Sequence, residues 1–252
     1  MRQVLYVVLF LLVWGFVETV MAQEKPLKVF VLAGQSNMVG RRAKVAELPE
    51  DLKKEQAGAL FFTGRGWVPL APGVTERQGF GPEISFARRM SERLGEPIGI
   101  IKHSRGGSNL AEDWSPENPK SLYAALLKKV KAARKTREIE IVGMVWLQGG
   151  RDAKFEAMAR AYAANLKKFI ERARKDFASA DMPFVAGRSS LPKKTFPFAD
   201  AVRKAQEQCR SPHYAFIDCD TIEKRADRTH YTTAGYVEVG YRLADAMLRM
   251  MK

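Results

Sequence analysis

Residues 28–38 of the chain read KVFVLAGQSNM and join an apolar run to a short polar turn. After Lys28, the run at 29–33 is apolar at consecutive positions, which is typical of a strand in a parallel sheet that helices cover on both faces. Gly34 permits a tight turn directly after it, so that Ser36 would lie just beyond the carboxyl end of the strand. The segment therefore predicts the first strand of an α/β domain, with a serine hydroxyl presented at its end.

The same kind of apolar run recurs along the chain and alternates with longer segments of helical periodicity. Strands are predicted at residues 28–33, 98–102, 140–147, 184–187 and 214–217. Helices are predicted at residues 83–94, 121–136, 153–177, 198–209 and 233–250. Repeated strand and helix units of this kind build a parallel sheet between helices, so the sequence predicts an α/β fold around these strands.

Residues 41–79 do not fit this alternation, because they are polar, rich in glycine and proline, and have an apolar core only at 60–62. We interpret them as a long excursion over the carboxyl ends of the strands. In open α/β sheets, ligands bind beyond these ends. Functional side chains are therefore expected in the segments that follow the strands.

Residues 1–22 have the features of a secretory signal: Arg2 precedes an apolar stretch at 4–17, and VMA at 20–22 resembles a cleavage site. The stretch is short for the roughly 20 residues that a membrane span needs, which disfavours an uncleaved anchor. The sequence predicts one mature domain at 23–252, periplasmic or secreted, with no stable membrane span after cleavage.

The formal net charge of +14 favours anionic partners, such as an acidic polysaccharide, a membrane surface or a nucleic acid. Much of this charge lies at 128–137 and 167–175, where Lys and Arg are mixed with Ala and Leu at helical spacing. We interpret most of it as solvated helix faces. The sequence has no zinc-finger or aromatic-basic RNA motif, and nucleic acid is not expected as a partner.

Cysteine and histidine are both few in this chain. Export would permit a disulfide between Cys209 and Cys219, although their spacing does not require one. His103, His213 and His230 are scattered, and no group of Cys and His has the spacing of metal ligands. Neither a metal nor a cofactor is therefore expected.

A second polar group lies near the carboxyl terminus, where Asp227 and His230 are three positions apart. One turn at this spacing can aim a carboxylate and an imidazole into the same cleft, which is the arrangement that activates a serine nucleophile. Alternatively, Asp227 is a turn residue and Thr232 or Thr233 caps the last helix. Both interpretations can hold together, because a capped helix start is a rigid support for a base.

Two further polar segments follow predicted strands in the middle of the chain. Gly106-Gly107-Ser108 follows the second strand, and Gln148 follows the third within WLQGGRD, residues 146–152. A glycine N–H and a glutamine amide are donors of the type that stabilise the charge of a tetrahedral intermediate. Taken separately, the glycines are equally typical of turns, and Gln148 of a polar strand end.

Together and in this order, the four segments resemble the SGNH/GDSL hydrolase superfamily, and within it the sialate O-acetylesterase-like and acetylxylan esterase group, carbohydrate esterase family 6. The matching blocks are GQSNM at 34–38, GGS at 106–108, WLQG at 146–149 and DRTH at 227–230. The resemblance covers nearly the whole mature chain. It implies a flavodoxin-like three-layer sandwich with a central, mostly parallel five-stranded sheet, and a serine esterase that needs no cofactor.

The resemblance also implies roles for individual residues. Ser36 would attack the ester carbonyl, His230 would accept and return the proton, and Asp227 would orient His230. Asn37 would brace the serine turn without contacting the substrate. The implied substrate is an O-acetylated oligo- or polysaccharide, either neutral or anionic.

The implied oxyanion donors are the backbone N–H groups of Ser36 and Gly107, or Gly106, and the side-chain amide of Gln148. One position departs from the group, because Gly150 stands where the group has a glutamate after Trp-x-Gln-Gly. If that glutamate braces the loop, misplacing the amide donor would cost about 2–4 kcal/mol in the barrier. An active but slow esterase is therefore expected.

Two other functions are compatible with the same residues. An SGNH lipase or thioesterase would need an apolar groove, which the polar segment 41–79 disfavours. The second function is that of a catalytically silent carbohydrate-binding relative, in which Gly150 in place of the glutamate would be the first change towards loss of activity. Aromatic residues near the predicted loops either stack on sugar rings or pack in the core; they are Phe61, Phe62, Trp67, Phe80 and Trp114.

Overall fold

The chain folds into alternating strands and helices, which the computed structural model describes for residues 25–75 and 79–252. The strands are β1 (Leu27–Gly34), β2 (Gln56–Phe62), β3 (Trp67–Leu70), β4 (Ile98–Ser104), β5 (Ile139–Leu147), β6 (Phe184–Gly187) and β7 (Tyr214–Ile217). The helices are α1 (Ser36–Val39), α2 (Glu83–Leu94), α3 (Leu122–Thr136), α4 (Glu156–Asp176), α5 (Ala199–Glu207) and α6 (Thr233–Met250). Every predicted strand and helix is present, with its bounds shifted by a few residues at most.

The predicted signal segment at residues 1–22 lies outside the described residues, so its cleavage and the export of the protein stay predictions. Among residues 25–75 and 79–252, no helix is long and apolar enough to cross a membrane. Cys209 and Cys219, between which export would permit a disulfide, are both free thiols in the structure.

The strands form one sheet with the order β3-β2-β4-β1-β5-β6-β7. The β2–β3 pair is antiparallel, and the other neighbouring pairs are parallel. Without β2 and β3, the order β4-β1-β5-β6-β7 is that of a flavodoxin-like sheet. The mostly parallel α/β sandwich is therefore confirmed. The strand order reverses between β1 and β5, which places the expected ligand crevice beyond Gly34 and Leu147.

The sheet has seven strands, so the prediction of five was wrong in number. Both additional strands come from residues 41–79, which we interpreted as a polar excursion. β2 pairs in parallel with β4, and β3 forms the edge of the sheet. Pro69 is tolerated in β3 because an edge strand does not need every N–H for pairing.

Helices cover both faces of the sheet and complete the three layers. Val29 and Val31 of β1 belong to the core with α3, α4 and α5, whereas Phe30 and Leu32 belong to the core with α2 and α6. Successive side chains of a strand point to opposite faces, and all four of these are fully buried. This arrangement explains why β1 is apolar at consecutive positions.

The aromatic residues considered as sugar contacts lie mainly in the hydrophobic core. Phe61, Phe62, Phe80 and Trp114 are each at most 1% exposed. Trp67 is half-buried, and the centroid of its ring lies 5.2 Å from that of Phe62. Of the two interpretations, packing in the core is therefore the one that the structure supports.

A buried ion pair lies beneath the helix that begins with Ser36. Glu83 Oε2 and Lys102 Nζ are 2.7 Å apart, and both side chains are at most 2% exposed. Glu83 Oε1 also accepts the Gly81 N–H at 2.8 Å, and Lys102 Nζ lies 3.4 Å from the carbonyl oxygen of Val39. These further hydrogen bonds offset the cost of burying two charges. The pair connects α2 and β4 to α1.

Candidate active site

Ser36 is the first residue of α1 and lies directly beyond the carboxyl end of β1. Gly34 has a φ of +150°, and a Cβ atom at this position would lie 2.2 Å from the carbonyl oxygen of Leu147 in β5. The Gln35 N–H donates to the same oxygen at 2.8 Å. Glycine therefore lets the serine turn, residues 34–38, form in close contact with β5.

The side chains of Ser36, His230 and Asp227 form a chain of hydrogen-bonded contacts. His230 Nε2 lies 3.0 Å from Ser36 Oγ, and His230 Nδ1 lies 2.8 Å from Asp227 Oδ2. In this geometry an imidazole can accept the serine proton while the carboxylate fixes the orientation of the ring. The structure thus brings together the three residues that the sequence assigned to nucleophile, base and orienting group.

The histidine turn, residues 227–230, is closed by Asp227 itself. Asp227 Oδ1 accepts the backbone N–H groups of Thr229 at 3.0 Å and His230 at 2.9 Å. Arg228 has a left-handed backbone, with a φ of +53°, and its N–H donates to the carbonyl of Arg225. Burial opposes ionisation of Asp227, but hydrogen bonds from His230 and Thr229 outweigh it and lower the pKa to about 2. The carboxylate is therefore charged at neutral pH.

Asn37 connects the serine turn to the histidine turn. Its Nδ2 donates to the carbonyl oxygen of Thr229 at 3.0 Å, and its Oδ1 accepts the hydroxyl of Tyr236 at 3.2 Å. Tyr236 belongs to α6, whose first turn is capped by the side chain of Thr232. The structure therefore shows the bracing contact predicted for Asn37 and the helix cap predicted beside the histidine.

The glycine block, Gly106-Gly107-Ser108, lies next to Ser36. A Cβ atom at Gly106 would lie 3.8 Å from the Cβ of Ser36. Gly107 has a φ of +72°, which favours glycine, and both glycines are exposed. The two backbone N–H groups considered as oxyanion donors are therefore in a segment adjacent to the serine.

Gln148 follows the last residue of β5 and is 4% exposed. Its amide nitrogen lies 2.6 Å from Asp152 Oδ2 and 3.0 Å from the carbonyl oxygen of Ser108. Gln35 Oε1, at 3.3 Å, is a third acceptor beside the same nitrogen, so the structure does not show the amide directed at Ser36. Its role as an oxyanion donor stays a prediction. What the structure shows is a link between the glycine block and the loop after β5.

Asp152 contacts this loop from its buried side, a role that could not be assigned from the sequence alone. Its carboxylate is fully buried and accepts the Leu110 N–H at 3.0 Å from each oxygen, in addition to the amide of Gln148. Burial raises the pKa of Asp152, and these hydrogen bonds oppose that effect. The available signal was a carboxylate four residues after Gln148, in a loop that follows a strand.

Gly150, where the resemblance leads one to expect a glutamate, lies against the side chain of Gln35. Gln35 Oε1 accepts the N–H groups of Gly150 at 3.0 Å and Gly149 at 3.3 Å. A Cβ atom at Gly150 would lie 2.9 Å from Gln35 Nε2, so the glutamine fills the space beside residue 150. Gln35 and Asp152 therefore brace the loop without a glutamate, and these contacts do not support the expectation of a loose loop.

A small cleft adjoins the serine turn. It has a volume of about 30 Å³, and its walls include Gln35 and Asn37, the two neighbours of Ser36 in the chain. Leu147 and Tyr231 contribute to the same walls. A space of this size holds a water molecule or a group as small as acetyl.

Residues 26–249 match the family described as carbohydrate esterase, sialic acid-specific acetylesterase. The chain belongs to this carbohydrate esterase family. It is also similar to a protein of Arabidopsis thaliana described as a probable carbohydrate esterase. The two are 26% identical over 243 residues, which cover 88% of this chain and 91% of the relative.

Solved structures share the fold of this carbohydrate esterase. The X-ray structure of the Arabidopsis thaliana protein has a TM-score of 0.79 and 24% identity, and the match covers 89% of this chain and 99% of that one. The crystal structure of NanS has a TM-score of 0.70 and 17% identity, covering 90% and 98%. A carbohydrate acetylesterase from Xanthomonas citri has a TM-score of 0.67 and 19% identity, covering 88% and 56%.

Proposed function

We propose that this carbohydrate esterase is a serine esterase, which hydrolyses O-acetyl esters of an oligo- or polysaccharide through an acyl-enzyme. The observation that carries the proposal is the contact chain from Ser36 Oγ through His230 to Asp227, with distances of 3.0 and 2.8 Å. Membership of the family supports an ester of a carbohydrate as the substrate. The signal-like residues 1–22 support a site of action in the periplasm or outside the cell.

In the first half-reaction, Ser36 Oγ attacks the carbonyl carbon of the acetyl ester while His230 Nε2 accepts its proton. Asp227 keeps the proton of the neutral ring on Nδ1, so that Nε2 can act as the acceptor. The charged carboxylate then stabilises the imidazolium that forms. The carbonyl oxygen of the ester becomes the oxyanion of a tetrahedral intermediate.

The oxyanion is stabilised by the backbone N–H of Ser36 and by an N–H of the glycine block, at Gly107 or Gly106. The start of a helix supports the first assignment, because the N–H of Ser36 has no acceptor within α1. The adjacency of the glycine block to the serine supports the second. Gln148 supplies a third donor if its amide exchanges one of its present acceptors for the oxyanion.

Collapse of the intermediate breaks the C–O bond to the sugar, and His230 returns the proton to the oxygen of the leaving hydroxyl. A water molecule then attacks the acetyl group on Ser36 and gives a proton to His230. The second intermediate collapses to acetate, and the serine recovers its proton. Neither half-reaction uses a cofactor.

The cleft beside the serine turn favours acetyl over longer acyl groups. Its volume is about 30 Å³, which suits a group as small as acetyl better than a longer acyl chain. Each added methylene is expected to lower kcat/KM by about 10-fold. Aryl esters with one leaving group and acyl chains from acetate to octanoate provide the measurement. Equal rates along this series would favour the lipase or thioesterase alternative.

Asp152→Asn is expected to lower kcat by about 10²-fold, because the loop that carries Gln148 would shift. Asparagine has an NH₂ group in place of one carboxylate oxygen. Either the Gln148 amide or the Leu110 N–H, both of which are donors, would then face this NH₂ group. The kcat for an aryl acetate is measured with Asp200→Asn, an exposed position in α5, as the control. A variant with parental kcat and parental Tm would show that Asp152 does not position the loop.

Acetate release tests the proposed function directly. The mature protein is expected to release acetate from acetylated xylan and from aryl acetates. With methanol present, the ratio of methyl acetate to acetate should be the same for different aryl acetates, because all form the same acetyl-serine. A ratio that depends on the leaving group would contradict the acyl-enzyme. Binding of the polymer without any acetate release would indicate a silent carbohydrate-binding relative.

A further inference from the structure

The side chain of Gln206, in α5, is fully buried and contacts two loops beside the active site. Gln206 Nε2 donates to the carbonyl oxygen of Gln148 at 3.0 Å, and Gln206 Oε1 accepts the backbone N–H of Ser189 at 2.7 Å. Gln148 begins the loop after β5, and Ser189 lies in the loop after β6. One amide of α5 therefore joins the two loops.

The amide of Gln206 belongs to a buried network of hydrogen bonds. Gln206 Nε2 also donates to the hydroxyl of Tyr162 at 3.3 Å, and that hydroxyl donates to the Gln148 carbonyl at 3.2 Å. The indole N–H of Trp146 donates to the same hydroxyl at 3.3 Å. Tyr162 and Trp146 are fully buried as well. In a buried network whose groups are all paired, the loss of one group leaves the others unsatisfied, so each orientation is fixed by its neighbours.

The contact with Gln148 fixes a peptide group that is also bonded to the serine turn. The carbonyl of Gln148 and the N–H of Gly149 belong to one peptide bond, and this N–H donates to Gln35 Oε1 at 3.3 Å. Because a peptide group is planar, a contact that holds the carbonyl also sets the direction of the N–H. Gln35 directly precedes Ser36. The amide of Gln206 is therefore connected to the nucleophile through one peptide group and one side chain.

The loop after β5 also packs directly against the loop after β6 and against α5. A Cβ atom at Gly149 would lie 2.4 Å from Ser189 Oγ, 2.9 Å from Val202 Cγ1 and 3.5 Å from Gln206 Nε2. A change of the side chain at position 206 therefore reaches this loop by direct contact.

The contact with Ser189 positions a different part of the cleft beside the serine turn. Residues 187–191 contribute to the walls of this cleft, as do Gln148 and Gly150. The Ser189 N–H donates to Gln206 Oε1, and without this acceptor the loop would have to shift until the N–H found another. In a cleft of about 30 Å³, such a shift changes which acyl group fits.

We propose that Gln206 is a positioning residue of this esterase, which sets both the loop that carries Gln148 and the wall of the cleft. The inference rests on the proposed esterase function. Because Gln206 is fully buried, it acts on the substrate only through its neighbours. It acts on the reacting groups through the 148–149 peptide and Gln35, and on the acyl group through Ser189. The turnover rate and the selectivity for short acyl chains are therefore coupled at one residue.

Gln206→Met is expected to lower kcat for an aryl acetate by about 10- to 100-fold and to leave KM within about 3-fold of the parent. Methionine is similar in length and has no N–H donor, so the loop shifts and the reacting groups are misaligned, but no contact with the substrate is removed. The ratio of kcat/KM for an aryl acetate to that for the aryl butyrate should fall by about 10-fold, because the wall at Ser189 loosens. All constants are referred to the folded fraction, as judged by circular dichroism, and Tm is measured for each variant.

Tyr162→Phe separates the two effects. It removes the hydroxyl that donates to Gln148 and leaves the bond between Gln206 and Ser189 in place. The kcat for an aryl acetate should fall by about 3- to 10-fold, whereas the acetate-to-butyrate ratio should stay within about 2-fold of the parent. The effects of Tyr162→Phe and Gln206→Met on kcat should not be additive, because both act on the same carbonyl.

Gln208→Met is the matched control, since it makes the same substitution at an exposed position directly after α5. It should change neither kcat nor the acetate-to-butyrate ratio. The positioning proposal is overturned if folded Gln206→Met keeps the parental kcat or the parental ratio, because the coupling would then be absent. If Gln206→Met does not fold, a parental kcat in Tyr162→Phe overturns it. A parent protein that hydrolyses no aryl acetate would instead overturn the proposed function, and this inference with it.

Discussion

Ser36→Ala is expected to lower kcat/KM for an aryl acetate by about 10⁴- to 10⁶-fold. The substitution removes the oxygen that attacks the ester, while His230, 3.0 Å from that oxygen in the parent, keeps its bond to Asp227. Only direct attack by water, helped by the remaining oxyanion donors, would then account for turnover. Steady-state rates and the partition between acetate and methyl acetate are the two measurements.

Ser91→Ala is a suitable control for this variant. The hydroxyl of Ser91 bonds within α2, to the carbonyl oxygen of Arg88 at 3.1 Å, so its removal leaves the active site intact. Parent and both variants are compared at equal folded fraction, as judged by circular dichroism. If Ser36→Ala retained more than about one hundredth of the parental rate, another nucleophile would have to be sought.

Five strands, β1 and β4 to β7, could be predicted because each of them carries a signal of its own. β1 is apolar at consecutive positions, since both of its faces are covered. The two additional strands carry a weaker signal: β2 contains Gly58 and an exposed Ala57 before its apolar end, and the short edge strand β3 contains Pro69. β2 pairs with β4 and β3 pairs with β2, and these pairings depend on tertiary contacts which local propensity does not encode.

The same difference between local signals and long-range contacts applies to the residues of the active site. Asp227 and His230 could be paired from the sequence because one short turn carries both side chains. The contacts of Gln148 could not be predicted, since its residue type gives only the number of donors. Which acceptors it uses is set by the approach of Ser108, which lies forty positions away in the chain, and by the burial of Asp152.

Asp227→Asn is expected to lower kcat by about 10³- to 10⁴-fold without loss of fold. The asparagine oxygen can still accept the N–H groups of Thr229 and His230, which Asp227 Oδ1 accepts in the parent. Its amide nitrogen would then face His230 Nδ1. That contact places the imidazole proton on Nε2, the atom that has to accept the proton of Ser36. The kcat for an aryl acetate, together with Tm, measures the effect.

The pH dependence of the parent shows whether protonation of the Asp227 carboxylate limits the activity. Because the pKa of Asp227 is lowered to about 2, its carboxylate is ionised throughout the range above about pH 3, and any fall in activity between pH 4 and 6 has to come from another group.

Asp245→Asn, which breaks an exposed contact with Arg89 at 3.5 Å, is the control for Asp227→Asn, and its kcat should stay within about 2-fold of the parent. An Asp227→Asn variant with parental kcat would show that the tautomer of His230 is fixed by other contacts, and Asp227 would then serve only to close the turn.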